Sequence, residues 1–218
     1  MNLVKKFLVA SLILGSFSAY AKPNQEQIKT INQQIKEAQK KSNDYKQKSE
    51  QLKRDVNKLK FEKRLLVQQK QVDKMVSELE IAKPKKARKV LIYSRTNGFR
   101  HSSIETGVGM LEYIGKKTGA FDSVATEDVN MINDDELTKY DAIIMVNTTN
   151  NPIDTKEGRA AFENFLASKK GLVGIHAATD CHRNWPNYLE AMGGVFDGHP
   201  WGAGSHVTLH NEDPDHVC

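Results

Sequence analysis

The chain has 218 residues, with 32 Lys and Arg against 27 Asp and Glu, and its charge is unevenly divided. Residues 22–89 carry 20 basic against 9 acidic side chains, whereas residues 90–218 carry 10 against 18, which excludes a single basic, nucleic-acid-binding domain. All seven histidines lie beyond residue 100, so any metal or acid–base chemistry is expected in the second part.

The N-terminus has the pattern of a secretory signal peptide. Lys5 and Lys6 precede an apolar run at residues 7–17, and Ala19 and Ala21 supply the small residues that signal peptidase requires. The run is shorter than the ~20 apolar residues that span a bilayer. We predict a signal peptide at residues 1–21 and a periplasmic or secreted protein; the alternative is an inner-membrane anchor through an uncleaved N-terminus.

Residues 25–82 are predicted to form a long helix, because Lys, Gln, Glu and Leu predominate and no Gly or Pro interrupts them. Their heptad spacing indicates a coiled coil and a homo-oligomer, with a phase shift at Leu65, Val72 and Leu79. The many lysines allow contact with an anionic cell envelope as an alternative, and nucleic acid is not an expected partner. The apolar positions, called the seam below, are Ile28, Ile31, Ile35, Ala38, Tyr45, Leu52, Val56, Leu59 and Leu66.

Residues 83–88 form a basic linker in which Pro84 ends the helix. Beyond it, apolar strands alternate with amphipathic helices, which is typical of a doubly wound parallel sheet covered on both faces. The strands are predicted at residues 90–93, 123–126, 142–146, 172–175 and 205–210, and the helices at residues 104–119, 134–140 and 155–169. In such an α/β fold the loops after the strands, at residues 94–103, 147–151 and 176–180, converge on one edge.

Three motifs lie in this second part: GFRH at residues 98–101, GLVGIHAATD at residues 171–180, and GGVFDGHPW at residues 193–201. In this order and spacing they resemble the ThuA-like, or trehalose-utilisation, family over residues 89–218. The resemblance implies the class I glutamine amidotransferase-like variant of the flavodoxin-like fold, and an association with disaccharide and keto-sugar metabolism. Since the family's domain normally extends further, we expect this one to be C-terminally truncated.

His176 departs from the wider superfamily in an informative way. The amidotransferases carry a nucleophilic cysteine on a Gly-x-Cys-x-Gly turn, and the similar stretch here is GIHAA at residues 174–178. The chain is therefore not expected to be a glutamine amidotransferase. Imidazole at this turn suits metal ligation or proton transfer. Whether Cys181 and Cys218 form a disulfide stays open.

Two interpretations of the histidines follow. In the first, His176, His101 and Asp180 are catalytic, and His101, His176 and His199 bind a divalent metal such as zinc. In the second, His176 and His199 are structural residues that fix the turns. The predicted substrate-binding residues are Arg100, for which a salt bridge is the alternative, Asn147, and Trp201, with Trp185 as a second stacking surface. The predicted surface histidines are His182, His206, His210 and His216.

The sequence therefore predicts an exported ThuA-like domain that acts on a carbohydrate, by hydrolysis or isomerisation, with histidine as metal ligand or as acid and base. The alternative is a noncatalytic glycan-binding or envelope scaffold protein with a coiled-coil segment for oligomerisation.

Overall fold

A computed structural model describes residues 24–79, 84–202 and 204–215. The predicted signal peptide, Lys83, His216 and Cys218 lie outside these residues. Within them, no helix combines the length and apolarity needed to cross a membrane. In chain order the elements are α1 (Gln25–Ser77), β1 (Lys89–Tyr93), α2 (Ile104–Thr118), β2 (Asp122–Thr126), α3 (Asp134–Leu137), β3 (Ala142–Val146), α4 (Lys156–Ala167), β4 (Gly171–Ile175) and α5 (Pro186–Met192).

The four strands form one parallel sheet in the order β2-β1-β3-β4. Alternate side chains of β1 and β3 enter two apolar clusters, because successive residues of a strand point to opposite faces. Leu91 and Ile143 pack with Phe162 of α4, whereas Ile92 and Ile144 pack with Val108 of α2. The predicted doubly wound α/β fold is therefore confirmed.

Helix α1 agrees with the predicted helix in type and in its first residue. Its backbone is non-helical at Gln68, where φ is −107° and ψ is 15°. This kink lies between Leu65 and Val72, where the heptad pattern shifts in phase. By its contacts the chain divides into a unit that ends at Leu52 and a second unit that begins at Lys53.

In the first unit, the apolar residues of the seam lie open to solvent. Ile31 is 54% exposed and Tyr45 is 72% exposed, although both are apolar enough to favour burial. A surface of this kind, repeated with heptad spacing, is typical of helices that pair. Coiled-coil assembly stays a prediction.

In the second unit, α1 packs on α2. The Asp73 carboxylate accepts hydrogen bonds from the Tyr113 hydroxyl and from Gln69, and it forms an ion pair with Lys117 at 3.0 Å. These three donors, with Tyr113 the strongest, hold the pKa of Asp73 at about 2. Val76 is buried near the end of the helix. The predicted coiled-coil segment therefore contributes its C-terminal part to the α/β domain.

Gly109 allows the close approach of these two helices. A Cβ atom here would fall within 3 Å of three ring carbons of Phe61. We therefore expect Gly109→Ala to lower the free energy of unfolding by about 1 kcal/mol, because the displaced ring loses its packing. In a Phe61→Ala background the same change should stabilise the chain by up to ~1 kcal/mol, because alanine favours helix over glycine.

Urea denaturation of the four chains of this double-mutant cycle measures the effect. The decisive result is the sign: Gly109→Ala must change from destabilising to stabilising when the Phe61 ring is absent. Equal effects in both backgrounds would show that α1 does not pack against α2 at this point.

Two predictions about the secondary structure are corrected. Residues 205–210 form no strand, and all six are exposed, because no strand of the described residues pairs with their alternating pattern. The helix predicted at residues 134–140 ends at Leu137. Helix α5 was not predicted, although Pro186 at its first position and Gly193 directly after it, with φ of 74°, are typical helix-end signals.

Candidate functional site

The strand order sets the position of the site. The chain passes from β1 outward to β2 and then returns to the other side of β1 as β3, so the connections diverge between β1 and β3. In open parallel sheets ligands bind at this point, outside the carboxyl ends of the strands. The loops after β1, β3 and β4 lie there, as the sequence predicts.

His176 is the first residue after β4, and its backbone is left-handed, with φ of 52°. Few residues other than glycine adopt this conformation, and its strain is often found at functional sites. The turn is tight: a Cβ at Gly174 would overlap the Met192 sulfur and lie 3.2 Å from the Cβ of Ala178. Small residues at 174 and 178 therefore let the chain turn sharply and present the imidazole at the strand end.

His101 lies beside this imidazole. The ring centroids of His101 and His176 are 4.7 Å apart with an interplanar angle of 73°, and Phe99 packs edge-on against His101 at 4.9 Å. His199 packs against Phe196 with a centroid separation of 4.8 Å. These rings surround a cavity of about 310 Å³, called the histidine cavity below, which is lined by Phe99, His101, Thr149, His176, Ala177, Thr179, Asp180, Phe196 and His199.

The pKa of His101 is lowered from its usual 6.5. Burial is the largest cause, and charges on His176 and His199 add to it, while the Asp180 carboxylate acts in the opposite direction. The shift favours the neutral form of the imidazole. A neutral imidazole can accept a proton, which is what a general base must do.

Asp180 is held by a residue that the sequence did not single out. The Arg183 guanidinium donates to the Asp180 carboxylate at 3.3 Å and to the backbone carbonyl of Phe196 at 2.5 Å. Arg183 therefore joins the loop after β4 to the segment that carries Phe196 and His199. Its distance of three residues from Asp180 is the only sequence signal for this role.

The three predicted metal ligands, His101, His176 and His199, line the same cavity. However, nowhere in residues 24–79, 84–202 and 204–215 are three or more His, Cys, Asp or Glu side chains arranged to hold a metal ion. The imidazoles of His101 and His176 meet edge to face rather than converging on one point. Zinc binding therefore stays a prediction.

None of the three predicted substrate-binding residues lines the histidine cavity. Asn147 is buried, and its amide donates to the Ser103 hydroxyl at 3.1 Å. Trp201 is 67% exposed on the segment after α5. Arg100 makes ion pairs with Glu105 at 2.7 Å and Glu127 at 2.8 Å, which is the salt-bridge alternative.

The Arg100 ion pairs predict a loss of stability. Arg100→Met would take the guanidinium away from the Glu105 carboxylate and leave Glu127 paired with Arg54, at 3.2 Å, in a half-buried region. We therefore expect the free energy of unfolding to fall by about 2 kcal/mol. The matched control is Lys139→Met, which removes an exposed pair with Glu136 and should cost less than ~0.5 kcal/mol. Urea denaturation of both variants measures the difference, and equal small losses would contradict it.

The structure also corrects two aromatic predictions. Trp185 is buried, packs against Phe162 and Tyr188, and donates its indole N–H to Glu163 at 2.6 Å, so it cannot stack on a sugar in the histidine cavity. His182 is 1% exposed rather than a surface residue, because its ring is enclosed by the same aromatic side chains.

The remaining predictions for this part of the chain concern its exposed histidines and its thiol. His206 and His210 are exposed, as predicted. Cys181 is buried against Thr148, and burial raises the pKa of its thiol to about 11. The thiol is therefore protonated at neutral pH and does not reach the cavity as a nucleophile.

Comparisons with known proteins identify a family for the α/β domain. A family model described as "ThuA: Trehalose utilisation" matches residues 89–218. A solved structure of a ThuA-like protein from Bacteroides uniformis ATCC 8492 is 27% identical, covering 51% of this chain and 46% of that one with a TM-score of 0.41. The chain thus spans about half the length of that protein. No curated protein matches it.

Proposed function

Because the chain belongs, through residues 89–218, to the ThuA (trehalose utilisation) family, we propose that its α/β domain binds a carbohydrate in the histidine cavity and acts on it by proton transfer. The observation that carries this proposal is the contact between His101 and His176 at the point where ligands bind in such sheets. Phe99 and Phe196 add apolar surface for the C–H faces of a sugar ring.

The two imidazoles suit an acid–base pair. His101, whose lowered pKa favours the neutral form, accepts a proton from a sugar hydroxyl, a carbon next to a keto group, or a water molecule. His176 lies across the same space and returns a proton to the departing oxygen or to the neighbouring carbon. In hydrolysis the proton comes from water and goes to the departing oxygen; in isomerisation one proton moves from a carbon to its neighbour while a hydroxyl proton moves to the keto oxygen. His101 then carries the extra proton and His176 lacks one, so a proton passes from His101 to His176, directly or through water, before the next turnover. Asp180 forms an ion pair with Arg183, and this contact helps to hold the segment with Phe196 at the edge of the cavity.

The experiment is to incubate the full chain with trehalose and, separately, with a keto-disaccharide, and to follow both sugars by NMR. We expect new monosaccharide signals or a rearranged sugar, at a rate proportional to the enzyme concentration. A sample treated with EDTA and one supplied with zinc test the predicted metal directly. Binding of neither sugar, together with no change in either spectrum, would overturn the proposal.

We also propose that the protein is exported, to the periplasm or the exterior or held at the inner membrane, and that α1 assembles copies of it or contacts the anionic envelope. Exposed seam residues such as Ile31 and Tyr45 favour assembly. If no sugar is turned over, this noncatalytic, glycan-binding or envelope scaffold is the second candidate function.

If the seam holds copies of the chain together, polar substitutions in it should lower the oligomeric mass. We expect a triple variant, Ile28→Gln, Ile31→Gln and Ile35→Gln, to lower the oligomeric mass measured by analytical ultracentrifugation, because the apolar contacts between helices are lost. The control, Lys36→Gln with Lys40→Gln, changes exposed positions of the same helix and should leave the mass unchanged. A triple variant with the mass of the parent chain would contradict coiled-coil assembly.

A further inference from the structure

A second cavity, of about 280 Å³, lies next to the histidine cavity on the same edge of the sheet. We call it the amide cavity, because Asn150, Asn151 and Asn184 line it together with Arg183. The two cavities share Phe99, Thr149 and Asp180 as lining residues, so they adjoin rather than stand apart. None of the predicted substrate-binding residues belongs to it.

The backbone below the amide cavity is firmly held. The Asn150 N–H donates to the Asp180 carbonyl at 2.8 Å, and the His182 N–H donates to the Asn150 carbonyl at 2.7 Å, which joins the loop after β3 to the loop after β4. The side chain of Asn97 donates to the Asn151 carbonyl at 2.6 Å. The amides therefore project from a fixed frame, which lowers the entropy lost on binding.

The chemistry of these side chains suits a hydroxylated ring. Each asparagine amide both donates and accepts hydrogen bonds, the Arg183 guanidinium only donates, and the Asp180 carboxylate only accepts. The Asn151 amide already donates one N–H to the Asn150 Oδ1 at 3.1 Å, so it offers a sugar hydroxyl its carbonyl oxygen and its second N–H. The Asn184 amide likewise offers a donor and an acceptor. The negative charge of Asp180 disfavours an anionic ligand in this cavity, so a neutral sugar suits it better.

We propose that the amide cavity is a second ring-binding subsite, so that the domain takes a disaccharide or a longer glycan rather than a single sugar. The reacting ring lies among the histidines, the linkage crosses the wall formed by Phe99, Thr149 and Asp180, and the next ring lies against Asn151 and Asn184. This inference rests on the proposed function, because it places the reacting ring in the histidine cavity.

The test uses the full chain, with glucose as a one-ring probe and trehalose as a two-ring probe, and isothermal titration calorimetry as the readout. The parent chain should bind trehalose at least tenfold more tightly than glucose. The double variant Asn151→Ala with Asn184→Ala should lose about tenfold in affinity for trehalose, because two hydrogen bonds to the second ring are removed, and should keep its affinity for glucose. Both substituted side chains are exposed.

The matched control is Asn164→Ala, an exposed amide on α4 that lines neither cavity and that should bind both sugars as the parent does. Equal affinity of the parent for the two sugars, or an unchanged affinity of the double variant for trehalose, would overturn the second subsite and leave the histidine cavity intact. Failure of the parent chain to bind either sugar would overturn the proposed function and this inference with it.

Discussion

His176→Asn is expected to lower the turnover of a keto-disaccharide by a factor of about 10² to 10⁴ and to leave the fold intact. The loss follows from removing one partner of the proposed acid–base pair, because an amide acts neither as an acid nor as a base near neutral pH. The fold should be kept because asparagine, like histidine, tolerates the left-handed backbone that this position requires, with φ of 52°.

The choice of asparagine separates chemistry from backbone strain. A β-branched residue such as valine would be strained at this φ, so a loss of activity in His176→Val would report on the turn as well as on the imidazole. The control is His206→Asn, which makes the same substitution at an exposed histidine and should leave turnover unchanged. Turnover of His176→Asn equal to that of the parent, with an equal Tm, would exclude His176 from the reaction.

The same assay, followed against pH, reports on His101. A base must be neutral, and the pKa of His101 is lowered from 6.5, so the acid limb of kcat/KM should have its midpoint below the ordinary value for histidine. The carboxylate of Asp180 raises this pKa, so Asp180→Asn should move the acid limb further down in pH. An acid limb that moves to higher pH in Asp180→Asn would show that Asp180 does not raise the pKa of His101.

The fold could be predicted from the sequence wherever a run of apolar residues indicates a buried strand. The apolar run at residues 142–146 has buried neighbours on both sides, and the strand Ala142–Val146 has the same bounds. Residues 205–210 show why a pattern can mislead: alternation gives a strand two faces but does not supply a neighbouring strand. The position of the site could be predicted from the order of the strands. Parallel strands bring their carboxyl ends to one edge of the sheet, and His101 and His176 therefore meet there.

What the sequence could not supply is the environment of single side chains. Arg100 follows the loop glycine and was expected to bind substrate, but Glu127 comes from the neighbouring strand end and neutralises it. Trp185 and His182 lie in what the pattern presents as a polar loop, and the unpredicted helix α5 helps to bury them, with Tyr188 against both rings and Phe162 of α4 against Trp185. Asn151 and Asn184 form one surface only after two loops pair through Asn150 and Cys181.

His182 is expected to make the protein sensitive to acid. The ring is 1% exposed, and burial, helped by Arg159 and opposed by Asp154, lowers its pKa to about 4 from a usual value of 6.5. Its Nε2 accepts a hydrogen bond from the Ile153 N–H at 3.4 Å, and its Nδ1 has no partner within the described residues, so the folded site holds the neutral ring. Protonation would require a charge to be buried there.

The sign follows from proton linkage. Because the folded pKa is depressed, the unfolded chain binds the proton first as the pH falls through 6.5, and the free energy of unfolding declines between pH 6.5 and pH 4. Above pH 6.5 both states are neutral, and the full stability is present. The decline attributable to this one ring is about 3 kcal/mol, at ~1.4 kcal/mol for each unit of pKa shift.

Urea denaturation of the parent chain and of His182→Asn at pH 7.5, 6, 5 and 4.5 measures this term. Asparagine tolerates the left-handed backbone at 182, where φ is 50°, but it leaves space among Trp185 and Tyr188, so the variant should be the less stable chain at pH 7.5. As the pH falls the two curves should converge, since the variant has no proton to bind at this position, whereas the exposed control His210→Asn should run parallel to the parent. Curves for His182→Asn that stay parallel to the parent would mean that the ring is protonated in the folded chain, and that the aromatic enclosure formed by α5 opens to water.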